Sequence, residues 1–119
     1  MVFAVAGCGP PRTPYPEALQ SKRPAERVQA IKRAAETRDH AVIGILVDRL
    51  EDEDEVVRFY AILGLEKLTG TRLGYDYHAP DVRRHRAVQR WRRHLAEGGA
   101  DRGSTSGGPD RAVDGVPDP

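Results

Sequence analysis

The residues with the clearest capacity for chemistry are the six arginines between positions 83 and 93. Arginine clusters bind phosphates and anionic lipid headgroups through charge and through the forked geometry of the guanidinium. The same segment carries Val88, Trp91 and Leu95 at helical spacing, which predicts that one face packs against a core. Nearby acids could neutralise several arginines, so a solvated structural face is the simpler alternative. Nucleic acid is disfavoured because stacking or base-reading side chains are not interleaved. The candidate contacts with an anionic surface are Arg83, Arg84, Arg86, Arg90 and Arg93.

Other polar residues fit catalytic or metal chemistry poorly. His78, His85 and His94 are separated by 7 and 9 residues, so the i, i+4 spacing of a helical metal pair is absent. The acids at 51–55 lack the loop spacing and the glycine of a calcium-binding hand. No serine or cysteine nucleophile stands beside a suitable base, and no glycine-rich loop fits a phosphate. The sequence therefore predicts a non-enzymatic protein without a metal or a cofactor.

A polar and aromatic cluster, Tyr75 to His78, occupies a loop predicted over residues 71–79. It could line a groove for a ligand. The preferred interpretation is that Tyr75 and Tyr77 pack against the end of a helical domain and donate their hydroxyls to backbone groups. Trp91 is likewise expected to be a core anchor rather than a ligand-stacking residue.

The single cysteine, Cys8, ends the apolar stretch of residues 1–8. The run Val5-Ala6-Gly7-Cys8 resembles a bacterial lipobox, in which the cysteine becomes the lipidated first residue. A usual signal peptide has a basic start and about 7–15 apolar residues, both missing here. Either the true start lies upstream, or Cys8 is incidental. We interpret residues 1–8 as a truncated lipoprotein signal-like segment and 9–15 as a Pro-rich tether.

The remaining pattern predicts one all-α domain over residues 16–97, with four main helices. Pro24 suits a helix start, and Asp39 suits the N-cap of a second helix over 40–50. The apolar run 41–47 could also be a buried strand, but no second strand-like segment exists to pair with it. Asp52 and Glu55 have the spacing of a capping box for a third helix, which should end at 69–70. The fourth should open at 80–81 and run to about 96.

Composition and the chain ends bound the function further. Charged residues make up 31% and aromatic residues 6%, with a formal net charge of +1, so no overall field attracts a polyanion. Residues 98–119 contain mainly glycine, serine, aspartate and proline, with too little apolar surface to repay ordering. We predict that this tail is disordered.

Two related segments are offset by 31 residues: Arg27, Ala30 and Ile31 match Arg58, Ala61 and Ile62. With the acidic turn at 51–54, this order resembles HEAT-type repeats, particularly the short bacterial class shared with phycobilisome-lyase-like proteins. The resemblance covers about residues 24–96 and implies a short helical solenoid of about two repeats. It also implies an inter-repeat ion pair between Asp52 or Asp54 and Arg58. Solenoids usually need about three repeats, so the tryptophan helix and the tyrosine loop are expected to cap the stack.

The resemblance implies a protein–protein interaction module with an unknown partner. We expect a monomer, tethered to the bacterial cell envelope by a lipid on Cys8, or cytoplasmic if Cys8 is unmodified. The alternative is a soluble basic module that binds phosphates of nucleic acid or anionic lipid through helix 81–96. A third possibility, an accessory to bilin attachment, is disfavoured because Cys8 lies outside the repeats and the chain is too short for a tetrapyrrole groove.

Overall fold

A computed structural model describes residues 13–98, which contain helices, turns and loops and no β-strand. The four α-helices are α1 (Pro24–Glu36), α2 (Ile43–Asp48), α3 (Glu55–Thr69) and α4 (Asp81–Ala96). Three short 3-10 turns lie at Glu17–Gln20, His40–Val42 and Arg49–Glu51. The prediction of an all-α domain with four main helices is confirmed.

The second helical segment is less regular than the sequence suggested. Residues 40–51 are helical throughout, but α2 is only the central part, and a 3-10 turn precedes and follows it. Asp39 starts the segment, since its Oδ1 accepts the backbone N–H of Ala41 at 3.1 Å. Helix is therefore the correct interpretation of the apolar run 41–47, and the strand alternative is wrong.

The start of α3 corrects a predicted cap. Asp54, not Asp52, is the N-cap, because its Oδ1 accepts the backbone N–H groups of Val56 and Val57 at 2.9 and 3.0 Å. This satisfies donors that the first helical turn leaves without partners. The other end agrees with prediction: Gly70 has φ of 84°, a left-handed conformation that glycine adopts without steric cost.

The helices pack in a pattern that places α1 beside α3 and α2 beside both α3 and α4. Apolar side chains from all four helices form one core. Trp91 has no exposed surface, and its Nε1 donates to the Arg72 carbonyl at 3.0 Å. The expectation that Trp91 is a core anchor is thus confirmed. The largest fully buried side chains are Trp91, Leu19, Ile31, Leu46, Leu50, Ile62, Leu65, Val47, Val57 and Val88.

The N-terminal boundary of this folded unit differs from the one predicted. Tyr15, which we assigned to the tether, is half-buried, and its hydroxyl donates to Asp39 Oδ2 at 2.5 Å. The Arg33 guanidinium lies 5.1 Å from the centre of the same ring. Folded structure therefore reaches back at least to Tyr15. Cys8, the signal-like segment 1–8, the first part of the tether and the predicted tail after Gly98 lie outside the described residues.

Candidate interaction surfaces

Asp52, one of the two acids predicted to pair with Arg58, has a different partner. Asp52 is buried and pairs with Arg27, whose Nη2 lies 2.8 Å from Asp52 Oδ1. Arg49 approaches the other carboxylate oxygen at 3.5 Å. The pairing of Asp52 or Asp54 with Arg58 is wrong, because Arg58 Nη1 instead donates to the backbone carbonyls of Asp52 and Glu53, at 2.9 and 3.4 Å. Arg27 is only 5% exposed.

The two arginines of the 31-residue repeat nevertheless occupy equivalent positions. Arg27 Nη1 donates to the carbonyl of Ser21 at 2.7 Å, and Arg58 Nη1 donates to the carbonyl of Asp52 at 2.9 Å. Each acceptor lies six residues before its arginine, so the acceptors carry the same 31-residue offset. Each arginine therefore closes the turn that leads into its own helix. The two arginines differ in their second hydrogen-bond partner. Arg27 donates to the carboxylate of Asp52, whereas Arg58 Nε donates to the carbonyl of Tyr77 at 3.3 Å.

The tyrosine loop packs against the end of the helices, and only one of its hydroxyls does what we predicted. Tyr75 is buried and donates to the Leu50 carbonyl at 2.5 Å. Burial raises the pKa of Tyr75 to about 12, although Arg58 and Arg84 nearby act to lower it. Tyr77 is half-buried and uses its ring rather than its hydroxyl, with its centre 5.0 Å from that of Phe59.

The structure divides the arginines of α4 into two groups. Arg84 donates to the Ala79 carbonyl at 2.6 Å and pairs with Asp81. Arg90 Nε donates to the carbonyl of Leu73 at 3.0 Å. Arg92, which we did not include among the contact residues, pairs with an acid on α2, Asp48, at 3.0 Å. Arg90 and Arg92 therefore join α4 to the tyrosine loop and to α2, whereas the contacts of Arg84 are local to the start of α4.

The other group points away from the domain. Arg83, Arg86 and Arg93 are exposed, and across residues 13–98 no hydrogen bond or ion pair engages their side chains. Of the five predicted contact residues, Arg84 and Arg90 therefore have structural partners, and the remaining three are available to an external anion.

The outer face of α3 carries an apolar stripe that the sequence analysis missed. The core stripe of this helix includes Val57, Ala61 and Leu65, all with no exposed surface. A second set of apolar residues recurs at i, i+3, i+4 and i+7, the spacing of a separate helix face. Val56 is 54% exposed and the other three members are half-buried. We call this set the α3 stripe; it consists of Val56, Phe59, Tyr60 and Leu63.

Neighbouring side chains extend the α3 stripe sideways. A groove of about 160 Å³ runs between α1 and α3, where Tyr60 and Leu63 face residues of α1 that include Lys32. The Lys32 ammonium lies 5.7 Å from the centre of the Tyr60 ring. On the other flank, Phe59 contacts Tyr77 of the loop. The sequence contained one sign of the α3 stripe. Apolar residues occur on more than one side of α3, whereas packing against a single core requires them on one side only.

Another, larger groove of about 630 Å³ is lined by a different set of α1 residues and lies beside the 3-10 turn at Glu17–Gln20. Glu26 lies at its edge, and its pKa is lowered to about 2, chiefly by the hydroxyl of Ser21 and then by Arg23 and Thr13. Tyr15 lines the groove, and its pKa is raised to about 12 by burial and by its bond to Asp39. Glu26 and Tyr15 are each bonded to other side chains, Glu26 to Ser21 and Arg23 and Tyr15 to Asp39, rather than to one another as an acid–base pair.

The histidines lie apart from each other. His78 Nδ1 lies 2.6 Å from Glu55 Oε2, and His85 Nδ1 lies 2.8 Å from Glu51 Oε2. The first contact joins the tyrosine loop to the start of α3, and the second joins α4 to the acidic turn. Within residues 13–98, no three histidine, cysteine, aspartate or glutamate side chains come together as a metal site would require.

Comparison of the chain with protein-family models, curated proteins and solved structures finds no match. None of the helices formed by residues 13–98 is long and apolar enough to cross a membrane.

Proposed function

We propose that this chain is a non-enzymatic protein-binding module built as a short HEAT-like stack, with the α3 stripe as its contact surface. The observation that carries the proposal is the row of four apolar side chains on the outer side of α3, which keep part of their surface accessible although Tyr60 also touches the core. Exposed apolar patches of this kind mark interaction sites more often than isolated surface apolar residues do. Aromatic side chains such as Phe59 and Tyr60 are also enriched at protein interfaces.

Two observations support the stacked arrangement. The first helices of the two proposed repeats, α1 and α3, pack side by side, and so do the second helices, α2 and α4. The repeat-related Arg27 and Arg58 make hydrogen bonds to carbonyls at the same sequence distance. A third repeat would supply a carboxylate to Arg58, as Asp52 does for Arg27. The carbonyl of Tyr77 occupies that role, which is consistent with a loop that closes the stack.

A partner for the α3 stripe should present an apolar segment that fits the groove between α1 and α3. Tyr60 and Leu63 form one wall of this groove, and Ile31 and Ala35 contribute apolar atoms to the other. Lys32 and Lys67 also line it, so an acidic residue near the apolar segment would be accommodated. An amphipathic helix offers this combination, with anchors at i, i+3, i+4 and i+7.

The test is selection of peptides from a displayed random library on the full chain. We expect enrichment of apolar peptides whose affinity falls at least tenfold on the variant Tyr60→Gln/Leu63→Gln. The matched control, Arg83→Gln/Arg86→Gln on α4, should bind them as well as the wild type. Failure to select any peptide would refute the proposal, and so would equal binding by the stripe variant when circular dichroism shows that it is folded.

Envelope tethering through a lipid on Cys8 is the second part of the proposal. Its support is the run Val5-Ala6-Gly7-Cys8 followed by a Pro-rich segment that can act as a spacer. Metabolic labelling with an alkyne fatty acid, in bacteria that express the chain with its upstream coding region, should label the wild type and not Cys8→Ser. Equal labelling of both, or labelling of neither, would contradict the lipid anchor and leave the α3 stripe unaffected.

A further inference from the structure

The outer face of α4 has features of a second contact surface, independent of the α3 stripe. The inner face of α4 is fully committed to the core through Ala87, Val88 and Trp91. On the opposite side, three arginines are exposed and lie at positions 83, 86 and 93. With a rise of about 1.5 Å per residue, they span roughly 15 Å along the helix. We call them the α4 arginine row; it consists of Arg83, Arg86 and Arg93.

The lack of internal partners distinguishes this row from the other arginines of the helix. Arg84, Arg90 and Arg92 each bond to a carbonyl or a carboxylate of the same domain. No hydrogen bond or ion pair within residues 13–98 involves the side chains of the row. Loss of the row would therefore remove no hydrogen bond or ion pair within these residues, and its charge is directed outward.

An apolar residue lies beside the charges. Val82 is 63% exposed at the start of α4, one turn before Arg86. Glu97 lies one turn beyond Arg93 on the same side of α4, and its carboxylate reduces the positive charge at the C-terminal end of the helix. Two of the three arginines of the row, Arg83 and Arg86, lie in the first two turns of α4, next to the exposed valine.

We propose that the α4 arginine row docks on an anionic lipid bilayer. A bilayer surface presents phosphates over a plane, so a straight row of guanidinium groups on one helix can engage several at once. Val82 can enter the boundary between headgroups and acyl chains, as apolar residues of interfacial helices do. A lipid on Cys8, if present, would add a second anchor, but the row does not require it.

The same observations favour lipid over nucleic acid. Binding of single strands uses aromatic side chains on which bases stack, whereas the tryptophan of α4 is buried in the core. Reading of duplex DNA uses polar side chains that reach base edges, and Gln89, the amide side chain on this helix, is half-buried. Apart from the guanidinium groups themselves, this side of α4 therefore offers neither an aromatic surface on which bases could stack nor an exposed amide that could read them.

Sedimentation with vesicles tests the proposal. The unlipidated full chain is mixed with vesicles of phosphatidylcholine alone or with about one-third phosphatidylglycerol, at 50 mM and 500 mM salt. We expect binding to the anionic vesicles at low salt only, because exposed charges are screened at high salt. Replacement of the row, Arg83→Gln/Arg86→Gln/Arg93→Gln, should weaken binding about a hundredfold, since each basic residue near such a surface contributes roughly a fivefold factor.

A variant with the same change in net charge serves as the control. Lys22→Gln/Lys32→Gln/Lys67→Gln removes three exposed positive charges away from α4 and should retain binding within about threefold. Equal loss in both variants would refute a specific surface, and so would equal binding of wild type to neutral vesicles. Tighter binding to a 20-base-pair DNA duplex than to anionic vesicles at the same salt, lost in the row variant, would replace the bilayer with nucleic acid. Because Lys32 and Lys67 line the groove beside the α3 stripe, the two variants are compared by vesicle binding alone and not by peptide binding.

Discussion

The buried pair of Arg27 and Asp52 is the contact whose removal should damage the fold most specifically. Side-chain exposure is 7% for Arg27 and 3% for Asp52, so water cannot compensate for a lost partner. Asp52→Asn would leave the Arg27 charge buried and would weaken the bond from the Asp54 N–H to the carboxylate. Removal of one member of a buried pair costs roughly 3–5 kcal/mol. A whole domain is stable by only about 5–15 kcal/mol, so the variant should be close to unfolding.

A double-mutant cycle separates this pair from the one that the repeat pattern suggested. Arg27→Met and Asp52→Asn, alone and combined, should show a coupling energy of about 2 kcal/mol or more. The cycle of Arg58→Met with Asp52→Asn should give less than about 0.5 kcal/mol, since Arg58 bonds to the carbonyl of residue 52, which asparagine also has. Urea unfolding followed by circular dichroism gives the free energies. Coupling between 52 and 58 that equals or exceeds that between 27 and 52 would refute the reasoning.

Three further predictions follow from local geometry. Trp91→Ala should lower the free energy of unfolding by about 3–5 kcal/mol, and a change within about 0.5 kcal/mol in a denaturation curve would contradict its place in the core. Gly44→Ala should raise the free energy of unfolding by about 0.5–1 kcal/mol, because a Cβ at this helical position meets no atom within 4 Å. Gly70→Ala should lower it by about 1–2 kcal/mol, because φ at this position is 84°. Equal changes in the two variants would contradict the difference in backbone conformation. The pKa of Tyr75 is raised to about 12 in the folded protein, so its protonated form contributes stability that is fully present below about pH 10 and is lost as the pH rises through 12. In an absorbance titration of the tyrosines, the Tyr75→Phe variant should therefore lack one group that ionises near pH 12 in the wild type. An unchanged titration curve would contradict the raised pKa of Tyr75.

Local signals in the sequence predicted most helix positions well. The start of α1 at Pro24, the cap at Asp39 and the end of α3 at Gly70 depend on interactions among residues a few positions apart. Such interactions are determined by residue type and spacing, so the sequence is sufficient to find them. The choice between Asp52 and Asp54 as the cap of α3 could not be made this way. Both lie near the start of the helix, and the difference arises because Arg27 holds Asp52 inward.

The arginines show the same limit at longer range. Their number in 83–93 is evident from the sequence, and so is the apolar face of α4. Which arginines have partners depends on residues far along the chain, such as Asp48 for Arg92 and the carbonyl of Leu73 for Arg90. The α3 stripe was missed for a related reason, because apolar residues on two sides of a helix do not reveal which side is covered.

The sequence by itself determined that the folded part is helical, the approximate limits of its four main helices, and that two segments are related at an offset of 31 residues. These properties come from periodicity and from caps, which act within one or two turns. Only the tertiary structure decided that Arg27 is buried against Asp52, that Arg58 bonds to backbone carbonyls, and that the α3 stripe and the α4 arginine row remain on the surface. The physical reason is that an ion pair or an exposed face depends on which helices approach one another, and no local interaction specifies that approach.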